Sequence, residues 1–327
     1  MEKEVLQNHE AFAQAEFKLH ILSGTLITLQ PVSDHYSENN IPGAAVRKAL
    51  TDAFGDTEAL RKLTISYAYI PVNGARGIPV PLSFVILKKD KAALRDRISA
   101  GRDPGDFDRI RNTAACYVAD PDAENVESAV TWRRTEEAGN FNLIDQDQEL
   151  CGFIAGPESA LKALAELLQE EKELLVGEDT ERGYGRVRME LLPAGPDPEP
   201  EKTELSSFTV RVNAPVVLTN ESGVSEERPE AILQEIEKKL GCPGKLRILD
   251  FFRRTDPYCR KDHPAYAATA AGSVFRIGTA DGETVDIAAI RHTFIGKFTE
   301  DGCGEIFSTP VVDRYYRRIG KAGGKKW

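Results

Sequence analysis

The order of elements along the chain predicts an α+β protein made of two tandem split β-α-β (ferredoxin-like) domains with glycine-rich loops. Three observations carry this. The first half reads strand, helix, strands, helix, strand. A proline-dense acidic stretch, Pro193-Ala194-Gly195-Pro196-Asp197-Pro198-Glu199-Pro200-Glu201-Lys202, then breaks the pattern as linkers do. Finally, a Gly-x-Gly device stands before an alternating strand in each half, at Gly183-Tyr184-Gly185 and at Gly302-Cys303-Gly304. The chain has 327 residues, more than one core usually holds. The expected division is a first domain at 1–193 with a hairpin insertion, a linker at 194–203, and a second, diverged domain at 204–327 with a basic frayed tail.

Each element follows from its local pattern. Glu16–Leu22 alternates polar and apolar, a half-buried strand. After a polar loop at 33–40, Pro42 and Gly43 suit a helix entry and Ala44, Ala45, Ala49 and Leu50 favour its continuation. Residues 63–72 are β-branched and aromatic, and 84–87 form a short apolar strand. Residues 88–113 are charged and interrupted by Gly101, Pro104 and Gly105, which reads as an exposed insertion. Residues 129–144 read as a β-hairpin with a charged Gly139-Asn140 tip. Leu150–Ala155 is a strand, and Pro157 opens a helix expected to run to about Leu175 on the stripe Leu161, Leu164, Leu167, Leu168. Val187–Leu192 closes the half. In the second half, 207–212 is an alternating strand followed by the apolar 214–218, 246–254 runs from apolar into basic, and 271–277 leads to an Asp281-Gly282 turn, with helices expected at 229–240 and near 285–291.

Composition bounds the function. Hydrophobic residues make up 41% and charged residues 29%, with a formal net charge of −10. That balance argues against a non-specific nucleic-acid binder but permits a local basic groove, because screening isolates charges beyond about 8–10 Å. Acid gathers near 170–181 and 199–204, whereas Arg182–Arg188, Arg253–Arg254, Arg260–Lys261 and Arg314–Arg318 are basic islands. The five cysteines are scattered without a CxxC pair, as expected of incidental thiols in a reducing cytoplasm. No apolar run reaches the roughly 18 residues of a membrane span. Met1–Val5 shows no signal-peptide pattern.

The chemistry concentrates in Arg182-Gly183-Tyr184-Gly185-Arg186-Val187-Arg188. Glycines admit φ > 0, arginines suit phosphate, and a tyrosine face can stack on a base. Trp132 with Arg133 and Arg134 repeats the aromatic and basic pairing on the hairpin. The two halves also rhyme elsewhere: Gly43 and Arg47 are spaced like Gly272 and Arg276. Among the five histidines, His35 is the candidate proton shuttle because it sits in a polar loop near Lys48; His20 reads as structural. No catalytic residue beyond that weak candidate, no metal site and no cofactor is expected. A dinucleotide fingerprint fails at Arg188, and GxxxxGK[ST], GxSxG and HExxH are missing.

In this order, Ile41-Pro42-Gly43-Ala44-Ala45-Val46-Arg47-Lys48-Ala49-Leu50, Arg182–Arg186 and Ala271-Gly272-Ser273-Val274-Phe275 resemble the RAMP superfamily of CRISPR–Cas proteins. The likeness is to its two-domain, handle-binding subunit of type III (III-D-like) effector complexes, whose ferredoxin-like (RRM-like) domains end in glycine-rich loops. It spans residues of about 16 to 307. The resemblance implies a non-catalytic, crRNA-binding subunit that caps the 5′-handle end of an antiviral ribonucleoprotein. Its partners would be the crRNA, the large polymerase/cyclase-type subunit and backbone RAMP subunits, with no membrane. The implied RNA-binding residues are Gly43, Arg47, Lys48, Trp132, Arg133, Arg134, Arg182, Gly183, Tyr184, Gly185, Arg186, Gly272, Ser273 and Arg276. The alternative within the superfamily is a metal-free pre-crRNA processing endoribonuclease. The chain departs from the pattern at Glu300-Asp301-Gly302-Cys303-Gly304-Glu305, where acid would repel phosphate. That loop is expected to serve packing or a protein partner.

Overall fold

The computed structural model describes residues 12–27, 40–72, 75–87, 93–100, 107–109, 116–118, 125–128, 132–134, 142–170, 172–192, 203–259, 265–311 and 315–319. Among them the protein is mixed α/β, with mostly antiparallel strands and few helices. No helix among the described residues is long and apolar enough to cross a membrane.

The first unit is built on β1 (Phe12–Ile21), whose Phe17, Leu19 and Ile21 point into the core while Lys18 and His20 lie on the outer face. Helix α1 (Gly43–Phe54) buries Val46, Ala49 and Leu50 and stops at Gly55, which takes φ +82°. Strand β2 (Thr64–Ile65) and the long β3 (Glu149–Pro157) follow, then α2 (Glu158–Leu168), β4 (Leu174–Leu175) and β5 (Arg186–Leu192). The sheet order is β4-β5-β1-β3-β2, with α2 burying Ala160, Leu161 and Leu164. Helix α2 ends earlier than the leucine stripe predicts. Acid at Glu170 and Glu173 opposes the negative end of a helix dipole, and Leu174 pairs in β4 instead.

The second unit follows this order without a counterpart of α2. It consists of β6 (Ser207–Val212), α3 (Pro229–Leu240), β7 (Leu246–Phe252), β8 (Val274–Thr279), β9 (His292–Phe294) and β10 (Glu305–Pro310). Its sheet runs β7-β8-β6-β10-β9, the first sheet's order read from the other end. The helix expected near 285–291 is instead a strand, Val285–Asp286 paired with Glu204–Leu205, followed by a 3-10 turn at Ala288–Ile290. β-Branched Val285 and Ile287 favour that outcome.

The charged stretch at 88–113 also differs from the expected exposed insertion. Its strands Ala93–Asp96 and Phe107–Arg109 join a seven-stranded sheet that also takes in Phe84–Leu87 and Tyr315–Ile319. Asp96 and Ile98 are buried, and Asp96 lies 3.6 Å from Arg211 on the outer face of β6. The insertion therefore helps to cover the second sheet. The hairpin pairing of Trp132–Arg134 with Asn142–Ile144 is present. The linker, His35 and the side chains of Trp132, Arg133 and Arg134 lie outside the described residues.

The two units meet through a buried ionic knot. Arg76 donates to both oxygens of Glu305, at 2.7 Å each, and its guanidinium also reaches the Tyr67 carbonyl. Glu305 is fully buried and accepts further from Asn213 at 3.2 Å and from His292 at 3.1 Å. Burial by itself would raise the Glu305 carboxyl; the Arg76 charge and the hydrogen bonds from His292 and Arg76 hold it well below the usual carboxylate range. Phe153 of β3 packs on the His292 ring at 4.7 Å between centroids. Removing one partner of such a pair strands the other charge, at a cost of about 3–5 kcal/mol. Glu305→Gln is therefore expected to lower the urea midpoint strongly at pH 7. Because the folded carboxyl is depressed, its stabilisation is complete above about pH 4.5 and is lost as pH falls through the folded value. Urea titrations from pH 7 to 3 should show the wild type converging on the variant in acid; parallel curves would contradict the assignment.

Candidate nucleic-acid interface

Both glycine loops share one backbone. In the first, Asp179 at φ +53° opens a 3-10 turn (Thr180–Arg182), and Gly183 and Gly185 follow at φ +87° and +75°. In the second, Phe298 at φ +60° opens the turn Thr299–Asp301, and Gly302 and Gly304 follow at +82° and +80°. Val176 N–H donates to Gly185 O in one, and Ile295 N–H to Gly304 O in the other. Gly177 and Gly296, at +94° and +84°, complete the pair, and the same interval separates every matched position. Sequence reading missed these two glycines, although aligning the halves on Gly-x-Gly would have brought them into register.

Their surroundings differ. The second loop is driven into the first unit. A Cβ on Gly302 would overlap Ile65 O and the backbone of Ser66, and one on Gly43 would overlap Ile65 O and Asp301 O. Arg47, expected to line a phosphate cleft, donates through Nε to Asp301 Oδ1 at 2.9 Å, and to the carbonyls of Leu60, Leu63 and Glu300. Gly43 and Arg47 thus serve packing between the units, because the acidic loop fills the helix start that a phosphate would have used. Lys48 lies outside on α1, exposed and paired with Asp52. The packing role expected for the second loop is what the geometry displays.

Gly272 and Ser273 are likewise buried. A Cβ on Gly272, at φ +84°, would come 2.7 Å from Val80 O, and the Ser273 hydroxyl accepts the Arg254 N–H. Neither reaches solvent, so the expected RNA contact is replaced by close backbone approach. Arg276 sits on β8 between Thr209 of β6 and Asp250 of β7, with its Nε buried. The rhyme of Gly43/Arg47 with Gly272/Arg276 therefore does not correspond to matched elements: one pair starts a helix, the other enters a strand. By sheet order, the counterpart of α1 is α3.

The first loop, in contrast, stands open. Among the described residues nothing comes within 4 Å of a Cβ built on Gly183, whereas one on Gly185 would overlap Val176 O. Tyr184 is half-buried, and Arg182, Arg186 and Arg188 are exposed. Arg182 lies 3.7 Å from Asp179; Arg186 makes a two-point pair with Glu173 at 2.8 and 2.9 Å. Arg188 has no ion-pair partner among the described residues and stands opposite His20 on β1. Alternation along β5 puts Arg186, Arg188 and Glu190 on the outer face beside Lys18 and His20 of β1.

The histidines here are engaged. His20 Nδ1 lies 3.2 Å from Glu149 and Nε2 3.3 Å from Glu190, so carboxylates flank both ring nitrogens. His292 bonds Glu305 at the seam. Cys151 is buried, and burial pushes its thiol up to about 11, which keeps it protonated at neutral pH.

No protein-family profile and no curated protein matches the chain. Solved structures are similar at low identity. One titled "CRISPR associated protein Cas6" is 11% identical over 91% of this chain and 100% of that one, with a TM-score of 0.42. A chain of a type III-B Cmr-beta complex bound to cognate target RNA and AMPPnP is 12% identical over 80% and 86%, at 0.40. "An RAMP protein binding different RNA substrates" is 11% identical over 90% and 99%, at 0.38.

The glycines give a graded prediction. Gly183→Ala meets only the left-handed strain of about 1–2 kcal/mol; Gly185→Ala adds to that strain a collision with Val176 O, and Gly43→Ala, in a helical conformation, collides with Ile65 O and Asp301 O. Thermal melts should rank Gly183→Ala nearest the wild type. A Gly43→Ala protein as stable as Gly183→Ala would refute the close approach of the two units.

Proposed function

We propose that the protein is an RNA-binding, non-catalytic subunit of a CRISPR ribonucleoprotein of the RAMP superfamily, formed of two tandem ferredoxin-like units. Support for the fold reading comes from strand order. Both sheets run fourth-first-third-second among their four principal strands, and the second unit lacks the helix between β8 and β10. The proposed place is the 5′-handle end of a CRISPR RNA in a type III (III-D-like) effector complex in the cytoplasm. A large polymerase/cyclase-type subunit and backbone RAMP subunits would be its neighbours.

One observation carries the proposal: of two loops with the same backbone, one is acidic and buried, and the other is open and sets Tyr184 between the exposed Arg182 and Arg186. Single-stranded RNA is bound by stacking and by contacts to phosphate and 2′-OH. Tyr184 offers the face, and Arg186, Arg188 and Lys18 supply charge along β5 and β1. Glu173, Glu149 and Glu190 interleave with them, so the face is a restricted track and not a general polyanion surface.

The test is handle-RNA binding across a salt series with Arg186→Ala and Arg188→Ala combined. If both reach phosphate, the slope of log K against log salt should fall by about 1.4, since each single-strand phosphate contributes about 0.7. An unchanged affinity and slope would remove this face from the reading. Repeat RNA cut by the wild type and left intact by His35→Ala would instead support the processing endoribonuclease.

A further inference from the structure

We infer that the tip of the first glycine loop, Arg182 and Gly183, seats a neighbouring protein that offers a strand-to-helix corner with a carboxylate one turn into the helix. The chain contains the template. Gly302 lies flat against the end of β2 at Ile65 and Ser66, with the first turn of α1 beside it, and Arg47, one turn into that helix, pairs with Asp301. A backbone can come so close only because glycine has no Cβ.

The first loop has the same turn, the same left-handed glycines and the same closing hydrogen bond, yet nothing among the described residues lies within 4 Å of a Cβ built at its tip. The residue matching Asp301 is Arg182, with 67% of its side chain exposed. The ion pair is therefore reversed in polarity: where α1 brings an arginine, the visitor brings Asp or Glu. A second copy of this chain does not fit, because its own corner is filled by its second loop and carries Arg47. RNA is the rival occupant. Its track lies on the outer sheet face at Arg186 and Arg188, whereas the flat tip matches what receives the Ile65 carbonyl in the other loop. This inference does not depend on RNA being bound.

The test places a photo-crosslinking amino acid at Glu181 of the full-length protein, purified in its native complex, and maps the crosslinked peptide after nuclease treatment. The expected product is a protein segment in which a strand end meets a helix bearing Asp or Glu in its first or second turn. Arg182→Glu should cut the yield about tenfold or more, as loss of a close charge pair does. Changing the mapped acid to Arg should restore it. Thermal melting of Arg182→Glu should match the wild type, because the side chain is exposed. A crosslink to RNA, to a second copy or to a segment without such an acid would overturn the inference, as would no crosslink or no rescue.

Discussion

The Glu305 carboxylate lies fully buried between two sheets, and the rest of the arrangement depends on its being paired. Taking that charge out of water is costly, and only a guanidinium in two-point contact, with histidine and asparagine donors completing the set, makes the burial tolerable. Arg76 belongs to the first unit and Glu305 to the strand that leaves the second glycine loop. Seating this pair fixes where that loop goes, and the loop in turn fills the start of α1. The Arg47–Asp301 pair, half-buried beside it, fastens the same junction a second time.

Duplicated elements free one copy to change. Both loops keep the glycines that their backbone requires, at the same interval and with similar dihedral angles. Their chemistry has parted, as the exchange of Asp301 for Arg182 illustrates. The second joins the units; the first is open beside an outer sheet face. On the proposed reading, a chain with net charge −10 still attracts a polyanion there because Glu173, Glu149 and Glu190 on that face are already paired, while Arg188 has no ion-pair partner among the described residues.

Local patterns revealed local structure. The alternation in β1, β5 and β6, the proline and glycine at the start of α1, and the amphipathic run of α3 were all legible. Patterns failed where a neighbour decided the outcome. The leucine stripe of α2 continues past Leu168, but pairing of Leu174 with Val187 claims the chain. Arg76 carried no signal because its partner is 229 residues away. Gly43 and Arg47 had the composition of a phosphate cradle; what excluded phosphate was a loop from the other half. Ser273 was read as a contact on its motif alone, although a small hydroxyl at a strand entry is equally suited to cap a buried backbone N–H.

On the proposed reading, two loops of one shape divide the work: one joins the units, and one, with β5 and β1 beside it, faces RNA. Amide hydrogen exchange of the full-length protein, with and without handle RNA, addresses both halves at once. The account predicts that 299–304 exchange slowly in either state, whereas the open loop at 183–185 slows only when RNA is added, β5 and β1 being protected already by pairing on both sides. New RNA-dependent protection in 299–304, with none in 183–185, would contradict it.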